Sequence, residues 1–185
     1  ARVDMHAGKY PFYPRGQIAP VIPRADIEID FDVENDDVVY LFGAYITRKQ
    51  PDGSYDKGEY ISFHFFNRDD PKEEGRQLAA FWAWLHQQFD DAAANGKTAN
   101  VYCYSGKIAE LPRMREASIR NADVPGVPTP EEINELGAAA HWVDLYEISK
   151  PLLWPTRRTG LKDVAKLAGF SWDASDAGGG NSIVW

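Results

Sequence analysis

Polar and apolar residues alternate strictly over residues 26–34, which is the period of a strand with one covered face. A nearly continuous apolar run follows at 38–47, and it is typical of a strand covered on both faces. After the turn signal at 51–54, residues 59–66 predict a third strand. The short connections predict that these three strands form an antiparallel meander.

The hydrophobic period changes after residue 70. Asp70 before Pro71 predicts an N-cap and helix start, and apolar residues at helical spacing continue to Phe89. A short strand is predicted at 100–104. It is expected to turn at Ser105-Gly106 directly into a helix that ends near residue 120.

The last third of the chain predicts short elements. A capping box at 129–132 opens another helix, and residues 142–145 predict a fifth strand. A short amphipathic helix is predicted over 161–168, stopped by Gly169, and a Gly-rich loop is expected at 176–181.

This order of elements predicts an α/β domain with a mixed five-stranded sheet, the three-strand antiparallel meander first, flanked by helices. The layout is ribonuclease H-like, and other α/β sandwiches share it. We expect an irregular N-terminal lead-in over residues 1–25 and a single domain over residues 26–185.

Composition narrows the setting of this domain. The chain has 185 residues, of which 44% are hydrophobic, enough for a sizeable core and too many for a disordered chain. One cysteine, Cys103, excludes a disulfide framework and a cysteine-based zinc site. The longest apolar run, 38–46, is far short of the ~20 residues of a membrane span, so no membrane contact is expected. The absence of an opening signal segment leads us to expect a cytoplasmic protein.

The negative charge of the chain is concentrated in one segment. The formal net charge is −8, yet residues 26–37 contain seven acids and no base, so the rest of the chain is nearly neutral. A uniformly acidic protein would disfavour nucleic acid, since phosphate contacts come from Lys and Arg. A local acidic segment instead suggests a specific site.

Asp32 and Glu34 are the strongest candidates for chemistry. Two residues apart on a strand, they share a face and lie roughly 6–7 Å apart along it. Carboxylate oxygens suit Mg²⁺ or Mn²⁺, and two such ions can hold the attacking and leaving oxygens of a phosphodiester. Asp30 lies on the same face and is the alternative to Asp32 as the first ligand. The competing interpretation is a solvated acidic face.

Two further carboxylates are candidates. Glu110 is expected about one turn into a helix that follows the carboxyl end of a strand, where ligands commonly gather in α/β sheets. Its alternative is an exposed helical Glu near a favourable N-terminus. Asp144 lies among large apolar residues and must be either paired or ligating.

Basic residues in the second half of the chain could contact phosphates. Those chosen as nucleic-acid contacts are Arg113, Arg115 and Lys162. Scattered surface bases are the simpler interpretation.

Several segments resemble the DEDD 3′–5′ exonucleases, which have the ribonuclease H-like fold. Asp32-Val33-Glu34 resembles their first motif, Asp-x-Glu. Residues 105–110 are similar to their second motif, Asn-x-x-x-Phe-Asp, with Ser, Ala and Glu at the three named positions. Residues 142–145 and 160–170 resemble their later strand and helix. Residues 169–172 and 180–185 look more narrowly like the exonuclease domain of RecB-like nucleases.

The resemblance covers roughly residues 25–185 and implies hydrolysis at the 3′ end of DNA or RNA with two Mg²⁺ or Mn²⁺ ions. It implies that Asp32 and Glu34 hold the ions, that Glu110 completes the cage, and that Asp144 joins the catalytic set. The implied partners are neighbouring nuclease or helicase domains of a larger protein. The last motif of the family, a Tyr or His followed by an Asp, is expected after residue 185. We therefore expect this chain to lack the last helix, bind metal weakly and cleave poorly.

Two alternatives remain open at this point. One is a non-catalytic ribonuclease H-like module that binds nucleic acid or a partner protein. The other is a metal-dependent phosphohydrolase acting on small nucleotides, since no base-reading residue is identifiable.

Overall fold

Residues 12–14, 20–67, 69–155 and 160–165 are described by the structure, a computed structural model. The strands are β1 (Phe12–Pro14), β2 (Ile27–Asn35), β3 (Val39–Arg48), β4 (Glu59–His64), β5 (Ala99–Cys103), β6 (Trp142–Asp144) and β7 (Leu153–Pro155). The helices are α1 (Glu73–Ala94), α2 (Glu110–Arg120), α3 (Pro130–Ala138), α4 (Leu145–Ser149) and α5 (Leu161–Ala165), with a 3₁₀ turn at Lys150–Leu152.

Five of these strands form one mixed sheet in the order β4-β3-β2-β5-β6. Strands β2, β3 and β4 pair antiparallel, while β5 lies parallel to both β2 and β6. The predicted mixed sheet that begins with an antiparallel meander is therefore confirmed. The central strand is β2, which carries the acidic segment.

Helices α1, α2 and α3 cover one face of the sheet. The apolar positions of β2 point into this core, where Ile29 is fully buried and Phe31 is 4% exposed. The Phe81 ring of α1 stacks on Phe31 with centroids 4.6 Å apart and on Phe42 of β3 at 5.7 Å. Packing of large rings against central strands is the main source of stability in such a layer.

The opposite face of the same sheet is open in the described part of the chain. On β3, Leu41, Gly43 and Tyr45 line a groove on this face. On this face Gly43 is buried, Leu41 is half-buried and Tyr45 is 39% exposed, so the predicted cover on both faces of residues 38–47 is partial among the described residues. The run looks uniformly apolar because a glycine and a tyrosine occupy the positions that face the groove.

Two helix starts differ from the predictions. Helix α1 begins at Glu73 with Lys72 as N-cap, not at Asp70. The carboxylate of Asp70 accepts a hydrogen bond from the Lys72 amide at 2.9 Å, and the backbone carbonyl of Asp70 accepts one from the Glu73 amide at 3.2 Å. Asp70 therefore closes a turn before the helix. Helix α2 begins at Glu110, because residues 106–109 form turns after β5.

The predicted capping box at the start of α3 is confirmed, since Thr129 Oγ1 accepts a hydrogen bond from the Glu132 amide at 3.2 Å.

The N-terminal lead-in, predicted to be irregular, contains β1, which pairs antiparallel with β7. Neither β7 nor α4 was predicted. The final amphipathic helix is described as Leu161–Ala165, while its predicted end at Gly169 and the loop at 176–181 lie outside the described residues. None of the described helices combines the length and the apolar character that crossing a membrane requires.

A buried carboxylate fixes α2 against the rest of the fold. Glu74 of α1 is 4% exposed, and its Oε1 accepts from the Val39 amide at 2.7 Å. The Arg120 guanidinium donates to both oxygens of this carboxylate, at 2.6 and 3.0 Å, and Asn121 Nδ2 donates at 2.8 Å. A buried charge is stable only with such full pairing. The C-terminal end of α2 is thereby held, and Glu110 stands at the other end of the same helix.

Candidate active-site groove

The open face of the sheet carries a groove of about 770 Å³. Its lining comes from β2, β3, β4, β5, the β5–α2 connection and the starts of α4 and α5. The residues that line it include Asp30, Asp32, Glu34, Gly43, Tyr45, Tyr60, Tyr102, Tyr104, Ser105, Glu110, Gly160 and Leu161. Most of the predicted carboxylates therefore face one concave surface.

The three β2 carboxylates Asp30, Asp32 and Glu34 all point into the groove, as strand alternation requires. Asp30 and Asp32 are open to water there, and Glu34 is half-buried. The surrounding walls nevertheless displace enough solvent to raise the pKa of all three side chains. The charge of Asp32 raises the pKa of Glu34 further, whereas the charge of Lys162 of α5 lowers it. A cation bound beside these carboxylates would stabilise their ionised forms.

Glu110 differs from these three because it is buried. Its side chain is 5% exposed, and its Oε2 has no hydrogen-bond partner among the described residues. Burial raises the pKa of Glu110 to about 7, and the charges of Asp32 and Asp144 add to the effect. Asp32 and Glu110 also share a second, smaller cavity of about 230 Å³. An unpaired buried carboxylate oxygen is costly, so a donor or cation is expected at this point.

The connection between β5 and α2 places Glu110 at the groove. Ser105 adopts a left-handed backbone with φ 68°, which is unusual for a residue with a side chain. At Gly106 a Cβ would lie 2.3 Å from Cys103 Sγ, so only glycine fits there. These two residues turn the chain sharply after β5, and α2 then begins at Glu110, which lines the groove together with the carboxylates of β2.

Asp144 holds this connection in place. Its Oδ1 accepts from the Ser105 amide at 2.9 Å and from the Tyr146 amide at 3.0 Å, and its Oδ2 accepts from the Lys107 amide at 3.4 Å. The side chain is 8% exposed and also caps α4. Of the two roles left open by the sequence, the paired one is what the hydrogen bonds show. A catalytic role for Asp144 remains a prediction.

The three predicted phosphate contacts do not lie together. Arg113 lines the smaller cavity beside Glu110 and pairs with Glu116 at 2.7 Å. Lys162 acts on Glu34 from α5. Arg115 lies on another side of α2, where it donates to Asn134 Oδ1 at 3.0 Å, and it does not line the groove.

Over the described ranges, no three His, Cys, Asp or Glu side chains converge closely enough to form a ready-made ion cage. The carboxylates share a groove without forming a closed cluster. Such a site leaves coordination positions for water and substrate oxygens.

Comparison with known proteins assigns the fold to a family. Residues 25–185 match the family model described as RNase_H superfamily. This chain belongs to the RNase H superfamily. No curated protein matched the chain. Membership in the RNase H superfamily indicates a nucleic-acid-related nuclease function, and nucleases of this superfamily typically use divalent metal ions.

Sequence reasoning missed several residues of this RNase H superfamily groove. Tyr60 is 59% exposed and lies over Gly43, the register partner of Asp32. Burial and the charges of Asp32 and Glu34 raise the pKa of the Tyr60 phenol. The alternation of β3 could have indicated Gly43 and Tyr45 as facing the same side as the carboxylates, since the register pairs antiparallel neighbours. No local signal indicates Tyr60.

Proposed function

We propose that the chain is a metal-dependent 3′–5′ exonuclease domain that hydrolyses the phosphodiester bonds of DNA or RNA by a two-metal mechanism, within a larger RecB-like nuclease. The observation that carries the proposal is Glu110. It is a 95% buried carboxylate with an unpartnered oxygen, and it lines the same groove as Asp32 and Glu34.

The residues of the groove fit Mg²⁺ or Mn²⁺. Asp32, Glu34 and Glu110 would hold the ions, with Asp30 as a further oxygen ligand, and hard cations prefer such oxygens. Mg²⁺ usually keeps several waters and takes only one or two carboxylates plus substrate phosphates, which agrees with an open set of ligands. When bound, these ions activate water and neutralise charge on the phosphate.

The protein itself supplies position and charge. Asp144 acts as a positioning residue, since its bonds to the Ser105 and Lys107 amides fix the turn that precedes Glu110. Arg113 in the smaller cavity beside Glu110 and Lys162 near Glu34 would supply positive charge for phosphates of the strand. The carboxylates of β2 stay on a rigid central strand, which holds them at constant spacing.

Metal binding gives the first test. We expect Mn²⁺ titrated into the wild-type chain to release or absorb heat, and Asp32→Asn and Glu110→Gln each to weaken binding at least about tenfold because a ligand charge is removed. Asp37→Asn is the matched control, since Asp37 is exposed in the same acidic segment and does not line the groove. Equal heats for wild type and Asp32→Asn would remove Asp32 from the site.

The direction of digestion needs a separate measurement. Since the last motif of the family is expected after residue 185, any cleavage by this chain should be slow, and Mn²⁺ should then shorten an oligonucleotide labelled at its 5′ end step by step from the 3′ end. Release of the labelled 5′ nucleotide as the first product would contradict 3′–5′ polarity while leaving metal-dependent hydrolysis intact.

A non-catalytic module that binds nucleic acid or a partner protein is the second candidate. It is favoured by the absence of a three-ligand cluster among the described residues and by the complete pairing of Asp144. This candidate predicts that the chain binds nucleic acid but that no Mn²⁺ concentration produces cleavage.

A further inference from the structure

We propose that Tyr45 and Tyr60 form a stacking platform for the unpaired bases of a single-stranded nucleic-acid end in the groove. This inference rests on the proposed nuclease function of the same groove and specifies its substrate as an unpaired strand.

The two tyrosines are direct neighbours on the open face of the sheet. Tyr45 of β3 and Tyr60 of β4 are register partners in the antiparallel ladder, so their side chains leave the sheet on the same side. They are 39% and 59% exposed, and both line the groove with the β2 carboxylates. Two adjacent aromatic side chains left open to solvent on a sheet face are a feature of surfaces that bind unpaired bases.

Each ring lies against a glycine. A Cβ at Gly43 would come 2.6 Å from Tyr60 Oη, and a Cβ at Gly58 would come 2.6 Å from Tyr45 Cε1. The rings therefore approach the backbone more closely than they could if either glycine were replaced by a residue with a Cβ. The Tyr45 hydroxyl also donates to the Lys57 carbonyl, which fixes that ring. Rings held in this way lose little conformational freedom when a base stacks on them.

The position of Tyr60 links the platform to the carboxylates. Its hydroxyl lies over Gly43, which pairs with Asp32, and it is close enough to Asp32 and Glu34 to feel both charges. A base that stacks on Tyr60 would therefore belong to a nucleotide close to the phosphate that lies at the carboxylates. Bases of an intact duplex are stacked on each other and cannot reach the rings.

The test compares a short single-stranded DNA, its RNA counterpart and the blunt duplex of the same sequence. Each probe carries a fluorophore and a phosphorothioate at the last linkage to suppress hydrolysis, and binding is followed by anisotropy with Mg²⁺ present, since Mg²⁺ binds sulfur poorly. We expect both single strands to bind more tightly than the duplex. Tyr60→Leu should weaken single-strand binding about tenfold, while Tyr60→Phe keeps the ring and should stay within about twofold. Phe66→Leu is the control, since Phe66 is also 59% exposed but does not line the groove.

The outcomes separate this inference from the nuclease proposal. Unchanged single-strand affinity in Tyr60→Leu, or equal loss in Phe66→Leu, overturns the platform. So does a loss in Tyr60→Phe as large as in Tyr60→Leu, because the hydroxyl and not the ring would then make the contact. Loss of affinity in Tyr60→Leu alone supports the platform. Equal Mn²⁺ heats for wild type and Asp32→Asn would reject the metal site and leave the platform standing.

Discussion

The two faces of the five-stranded sheet differ although the same strands build both. On β2, Ile29 and Phe31 point into a core of stacked rings under α1, whereas Asp30 and Asp32 point into an open groove. The helix-covered face gains free energy from apolar burial. The groove face collects carboxylates whose pKa values are raised because the protein partly excludes water from them.

The contrast shows that the groove face is not built for stability. Carboxylates with raised pKa values, and above all the unpartnered oxygen of Glu110, make the ionised free protein less stable. Groups of this kind cluster at functional sites, where a ligand supplies the missing interaction. Alternate residues of the central strand therefore serve two surfaces, one that stabilises the fold and one that binds a ligand.

Truncation on the covered face should have the largest effect. Phe81 is fully buried and stacks on Phe31 and Phe42, so Phe81→Ala should lower the free energy of unfolding by about 3–5 kcal/mol. The measurement is urea unfolding followed by circular dichroism. Tyr60→Leu on the groove face should cost less than about 1 kcal/mol, since most of that ring is exposed. Similar losses in both variants would contradict the division of roles between the faces.

Substitutions of Asp144 test the turn that brings Glu110 to the groove face. Asp144→Ala leaves the half-buried Ser105 amide without an acceptor and removes the cap of α4, so it should destabilise by about 2–3 kcal/mol. Unfolding in urea measures this loss, and Mn²⁺ titration should show weaker binding because Glu110 is no longer fixed. Asp144→Asn retains an oxygen for the Ser105 and Tyr146 amides and should recover most of the stability. A fully stable alanine variant would show that the turn holds itself.

The sequence predicts the sheet well and the site only in part, for a physical reason. Alternation in β2 and the helical period of α1 are local consequences of burial, so both are visible in the chain. The start of α2 was misplaced because residues 105–109 are held by Asp144, about forty positions away, and no local pattern records such a bond. Tyr60 was missed for the same reason, since only strand pairing brings it over Gly43.

Glu110 should produce a stability difference that depends on pH. In the folded protein its pKa is raised from 4.5 to about 7, so between those values the folded chain binds more protons than the unfolded chain. Stability therefore falls as pH rises through that window, and the loss persists above it. With EDTA present, Glu110→Gln should be more stable than wild type by about 3 kcal/mol at about pH 8, and this advantage should shrink towards pH 4.5.

The measurement for Glu110 is urea unfolding of both proteins across the same pH range. Glu135→Gln serves as the control for the substitution itself, since Glu135 is exposed on α3 and does not line the groove. A difference for Glu110→Gln that stays constant across the pH range would mean that the Glu110 carboxylate is not penalised by burial. Added Mn²⁺ should reduce the advantage of the glutamine variant, because only the wild-type carboxylate gains from a cation.

The smallest effect on stability is expected at Gly43, where the groove face meets its tyrosine. Alanine suits a strand better than glycine by about 0.5–1 kcal/mol, but the new Cβ would meet Tyr60 Oη at 2.6 Å and displace the ring. These effects oppose each other, so unfolding should change by less than about 0.5 kcal/mol. Single-strand affinity should nevertheless fall severalfold, because the ring is displaced from its place beside Asp32 and Glu34. In a Tyr60→Leu background the same alanine should have no further effect on affinity, since the ring it displaces is gone. Additive losses in the double variant would place the contribution of Gly43 in the backbone of β3 and not in the position of Tyr60.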